Sequence, residues 1–177
     1  MYWPPPGIKR HPERRWNRPD QIFFGHGACH ILAGAYLRLF PQTNLQAERI
    51  IPAEGFAGAH IFLTDGMLAF DFHGYSRRDR LLAHHAKGWA QRYPGWSAAL
   101  EAVEFDLLDT RELNARKMLG PDQYFGDALA RADAFLEKLD HRCGMRRAAE
   151  SAPSPGDAAV LETCFTLTAR AKSGIGT

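Results

Sequence analysis

Three side chains of complementary chemistry occur in one order along the chain: Cys29, within Gly25-His26-Gly27-Ala28-Cys29-His30, then His60, then Asp71. A thiol, an imidazole and a carboxylate are the parts of an activated sulfur nucleophile. The imidazole takes the thiol proton, and the carboxylate fixes its tautomer and stabilises the imidazolium. Cys29 falls where an apolar stretch begins. A helix starting there favours the thiolate, because unpaired first-turn N–H groups and the helix dipole stabilise negative charge. Gly25 and Gly27 permit a tight turn before the helix and leave the sulfur accessible, while a backbone N–H near Cys29 is placed to meet a developing oxyanion. Gln21 is a further candidate oxyanion donor, and His26, Gly27 and His73 are candidates for substrate binding.

His60 and Asp71 are brought together by an expected hairpin with strands near 59–64 and 67–73. Asp65-Gly66 is a two-residue hairpin signal. Closed there, the hairpin sets Thr64 against Met67, Phe62 against Ala69 and His60 against Asp71. Opposed Cβ atoms lie roughly 4.5–5.5 Å apart, near enough for a carboxylate to hold an imidazole. Ile61, Leu63, Leu68, Phe70 and Phe72 form an apolar face that fixes the register, since a slip of one residue would swap the faces. The second face carries His60, Phe62, Thr64, Met67, Ala69, Asp71 and His73, and its apolar members leave room for a packed helix.

The remaining elements follow from period and punctuation. Cys29 to Phe40 is apolar nearly all round, as in a helix inside the protein, and Pro41 stops it. A short strand is expected around Arg49-Ile50-Ile51. Ser76 and Asp79 read as the start of a helix ending near Tyr93, before Pro94-Gly95. Val103 to Leu107 alternates like a half-buried strand. Thr110 reads as the cap of a short helix closed by Gly120-Pro121, and Asp127 to Leu139 as an amphipathic helix. Residues 1–20 read as an extended arm laid on the domain through Trp3 and Trp16. Residues 21–141 read as a single α+β domain, and 142–177 as a linker (Ser151 to Gly156) and tail, with 158–168 forming a strand or a helix.

Composition narrows the function. The chain has 177 residues, of which 45% are hydrophobic, which is enough for one compact core. Its longest apolar run, Ile31 to Leu37, is far short of the roughly 20 residues of a membrane span. The start, Met1-Tyr2-Trp3-Pro4-Pro5-Pro6, has no secretory apolar core. Three irregularly spaced cysteines argue against a disulfide framework and for a reducing compartment, the cytoplasm. A net charge of +2 makes no case for nucleic acid. No membrane partner is expected, and the arm or the tail offers a surface for a sister chain.

Zinc is a rival reading, because His26, Cys29, His30, His60, Asp71 and His73 include its ligand types. However, His26 and Cys29 form a lone half-motif with no second pair at matching spacing, so no metal is assigned. His30 follows Cys29 and should point about 100° away from it around a helix. His84-His85 reads as a solvated pair, residues 120–126 as an interhelical loop, and Cys143 and Cys164 as cysteines without a role.

The motifs Gly27-Ala28-Cys29, Ala59-His60-Ile61-Phe62-Leu63 and Leu68-Ala69-Phe70-Asp71, over about residues 21–73, resemble the papain-like superfamily. They are most similar to its transglutaminase-like and small bacterial cell-wall-peptidase branches. The resemblance implies an α+β fold with a Cys-bearing helix packed on a small antiparallel sheet, and a Cys-His-Asp group acting on amide or acyl bonds. The expectation is therefore a cysteine-dependent hydrolase or acyltransferase for a small peptide, amide or acyl substrate, requiring no cofactor. The alternative is a non-catalytic peptide- or protein-binding domain on the same fold.

Overall fold

A computed structural model describes residues 7–167 of the chain. Its centre is a six-stranded sheet formed by β1 (Gln46–Pro52), β2 (His60–Thr64), β3 (Leu68–Asp71), β4 (Gly74–Arg77), β5 (Ala98–Ala102) and β6 (Phe165–Leu167). The strand order is β4-β3-β2-β1-β5-β6. All neighbours are antiparallel except β5 and β6, which run parallel, so the sheet is larger than expected and mixed. The architecture is α+β.

Helices cover both faces of the sheet. Three precede it: α1 (Pro12–Trp16), α2 (Asp20–Gly25) and α3 (Cys29–Leu39). The others are α4 (Arg78–Ala90), α5 (Thr110–Ala115), α6 (Ala128–Glu137), α7 (His141–Glu150) and α8 (Pro155–Cys164). His30 to Tyr36 are buried without interruption, as the all-round apolar pattern of α3 requires. Ile61, Leu63 and Phe70 pack with Ile31 and Leu32 of α3 and with Phe135 and Leu136 of α6. Phe62 and Ala69 face the other way, against Leu81, Leu82 and Ala86 of α4. Both faces of β2 are thus covered, and all five of its residues are buried.

The hairpin closes two residues away from the expected register. Thr64 pairs with Ala69 and Leu63 with Phe70. The cause is Asp65, which caps the turn instead of occupying its centre. Its carboxylate accepts from Met67 N and Leu68 N at 2.9 and 2.8 Å, and Thr64 Oγ1 accepts from Gly66 N at 2.9 Å. A slip of two preserves the faces where a slip of one would exchange them. His60 and Asp71 therefore stay on one side as diagonal neighbours instead of opposed ones.

Other boundaries move for similar local reasons. Ser76 pairs with Ala69 inside β4, so the following helix begins only at Arg78. The strand expected at Val103 to Leu107 lies earlier, at β5, because β1 runs out: Val103 N donates to Ala47 O, and Phe105 leaves the ladder to lie under the guanidinium of Arg116, 4.1 Å from its ring centre. Asp109, not Thr110, caps α5 by accepting from Glu112 N at 2.7 Å.

The two terminal segments also depart from expectation. The arm is helical where it is described, with Pro12 suited to the first helical position of α1. Arg131 holds it, donating to the Trp16 and Arg18 carbonyls and, at 2.8 Å, to Asp20, with its guanidinium 4.2 Å from the Phe23 ring centre. Trp16 packs edge-on to Phe23, while Trp3 lies outside the described residues. The tail is likewise built into the fold. His141 Nε2 donates to Leu136 O, which leaves Nδ1 to accept from Tyr75 at 2.8 Å, and Tyr75 in turn accepts from Tyr36 at 2.7 Å. Lys87 of α4 pairs with Asp157 of α8 at 2.7 Å, and β6 adds to the sheet.

Candidate active site

Cys29 opens α3 and lies part-buried at a cleft of about 910 Å³. The turn before it is shaped by Gly27, whose φ of 111° suits only glycine. The Gly27 carbonyl accepts from Arg15 Nη2 at 2.7 Å and from Tyr124 OH at 2.8 Å, which pins the peptide leading into the helix. The first N–H groups of α3 have no intrahelical acceptor and open toward this end.

β2 delivers His60 to the same place, 4% exposed, and β3 delivers Asp71, 6% exposed. His60 Nε2 donates to Asp71 Oδ2 at 3.1 Å. That commitment leaves Nδ1 for the Cys29 thiol, which lines the same cleft and is among the groups that raise the His60 pKa. Asp71 Oδ1 also accepts from His73 N at 2.8 Å and from His73 Nδ1 at 3.2 Å. The three expected side chains are together, in the order sulfur, imidazole, carboxylate.

Their electrostatics follow from the contacts. Burial alone would push the Cys29 thiol up, but hydrogen bonds from His30 and His60 and their charge hold it well below its ordinary value. Burial disfavours a charged His60, yet its hydrogen bonds to Asp71 and Cys29 push it up to about 10. Burial would raise Asp71, and His60 and His73 outweigh that and hold it below the usual carboxylate range. The three shifts act together to favour a thiolate beside an imidazolium and a carboxylate.

Two histidines play parts the sequence concealed. His30 does not point away from Cys29. It is 3% exposed, its Nε2 donates to Leu119 O at 2.8 Å, and it lines the same cleft as the thiol, whose pKa it helps to lower. His85 is not solvated: its ring stacks on His60 at 5.6 Å and 13°, and its Nε2 donates to Gly58 O at 2.7 Å. Burial and the His60 charge lower it to about 3, so a neutral ring backs the charged one. No spacing rule separates His85 from the exposed His84. Only the face taken by α4 does.

His26, Gly27 and His73 line the cleft, whereas Gln21 lies exposed on α2 and is not among the lining residues. Among the described residues, no three His, Cys, Asp or Glu side chains are arranged to hold a metal ion, and no helix is long and apolar enough to cross a membrane. Comparisons with protein-family models, with curated proteins and with solved structures return no match.

Proposed function

We propose that the protein is a papain-like cysteine hydrolase or acyltransferase. The observation that carries this reading is the part-buried Cys29 beside the buried His60–Asp71 pair, opening on a cleft, with thiolate and imidazolium both favoured. Cys29 Sγ attacks the carbonyl carbon of an amide, ester or thioester, and a bond forms between sulfur and carbon. The oxyanion meets the first-turn N–H groups of α3. His60 then gives its proton to the leaving group as the carbon–leaving-group bond breaks, and an acyl-thioester remains on Cys29. Water or an amine, losing its proton to His60, attacks that thioester and expels the thiolate. Asp71 orients the ring throughout and stabilises its charged form.

The binding-domain alternative requires no such charge state. The two readings are tested by incubating the protein with a peptide thioester and following intact mass. One acyl group is expected on Cys29, absent in Cys29→Ser and formed at least about 10²-fold more slowly in His60→Ala. Acylation no faster than that of free cysteine, or spread evenly over Cys29, Cys143 and Cys164, would contradict the proposal.

A further inference from the structure

The cleft is lopsided in charge. Arg15, Arg49, Arg80, Arg116 and Lys117 line it, and Asp71 is the one carboxylate among the described lining residues. Asp71 is already committed to His60 and His73. A net charge of +2 for the whole chain gives no hint of this concentration, because the five cations come from four separate stretches of the chain and most of the compensating acids lie elsewhere. A cleft walled by one sign of charge focuses the field on whatever enters it.

Three of the five cations have no carboxylate partner among the described residues. Among the described residues, Arg15, Arg80 and Lys117 form no ion pair, while Arg49 and Arg116 have Glu101 and Glu112 at 2.9 and 3.5 Å. Arg15 Nε and Arg49 Nε are buried without an acceptor from the described residues, a state native proteins avoid. Arg49 and Arg116 both lie against the ring of Phe105, so their guanidinium groups share one wall of the cleft.

Lys117 adds an independent observation. It is the only described non-glycine residue with positive φ, at 60°. Lys117 N donates to Asn114 O and Met118 N to Leu113 O, which closes α5 in the motif whose left-handed position ordinarily holds glycine. A lysine held there at a cost in backbone energy signals a use for its charge. The loop it begins is tied to the nucleophile, since Leu119 O accepts from His30, the neighbour of Cys29.

We propose that the cleft selects acyl substrates bearing an oxyanionic group, a carboxylate or a phosphate, held near the scissile bond by Lys117, Arg116, Arg49 and Arg15. This rests on the cysteine-nucleophile reading and specifies its substrate class. Two alkylating probes separate the ideas: iodoacetate carries the carboxylate, iodoacetamide is its neutral counterpart, and each places a carbon on sulfur with loss of iodide. The measured quantity is the ratio of their rate constants at Cys29, divided by the same ratio for free cysteine at equal pH and salt. In the whole chain this normalised ratio should be about 10 or more at low salt and should fall as salt is raised. It should drop by about threefold in Lys117→Gly and in Arg116→Gln. Because glycine suits the backbone at 117, Lys117→Gly should melt no lower than the parent, so a lower ratio cannot be ascribed to misfolding. A normalised ratio near or below one, or a high ratio that neither variant lowers, overturns the proposal. Slow labelling by neutral iodoacetamide is read separately, and it would instead overturn the nucleophile reading on which the proposal rests.

Discussion

Asp71 holds a negative charge inside the protein on two sources of donors, His60 on one oxygen and the His73 backbone and ring on the other. Removing the carboxylate leaves a buried imidazole that has lost the partner of its charge. Asp71→Ala should therefore destabilise the fold by about 3–5 kcal/mol, as breaking a buried pair does, with urea unfolding as the measurement. A loss below about 1 kcal/mol would place the carboxylate outside any structural ion pair. At this scale the sequence was readable where residues announce themselves by type. Cys29, His60 and Asp71 are uncommon choices in otherwise apolar surroundings. His30 and His85 were not readable, because their roles depend on which side of a helix meets a sheet end.

Elements carry the next level of specification. α3 must approach the segment after β5 closely: a Cβ added at Gly34 would lie 2.8 Å from Leu108 Cδ2 and 3.0 Å from Leu107 Cβ. Gly34→Ala raises helix propensity by about 1 kcal/mol but overpacks this contact, at a cost of about 1–3 kcal/mol. The melting temperature should fall; a rise would mean the contact is loose. The alternation in 59–73 disclosed the hairpin and its faces, and the fault in register was an even one because the apolar side excluded odd ones. β4 and β5 stayed hidden. Four residues beginning with glycine, and five drawn from Ala, Leu and Glu, carry no strand composition of their own and are paired only because β3 and β1 offer edges.

Over the whole molecule, the sequence view separated an arm and a tail that the fold incorporates. α1 and α8 are too short or too evenly apolar to show a period. What fixes them is remote: Arg131 for the arm, Lys87 and the sheet edge for the tail. The cationic wall of the cleft is likewise a property of assembly, with nothing in any one segment to reveal it. The same assembly supplies the proton balance of the site. As pH falls, the Cys29 thiolate is protonated only once its depressed pKa is passed; as pH rises, His60 keeps its proton until about 10. Between those limits thiolate and imidazolium are expected to coexist, which acyl transfer requires and simple alkylation does not.

The pH dependence of iodoacetamide alkylation, followed cysteine by cysteine by mass spectrometry, tests this charge state most directly. Cys29 should react with a midpoint well below the value of about 8.5 for free cysteine, while Cys164, pushed up by burial, serves as the internal reference. In His60→Ala the Cys29 midpoint should rise, since burial then acts with less opposition. A Cys29 midpoint at or above that of free cysteine, or one that does not move when His60 is removed, would contradict the account.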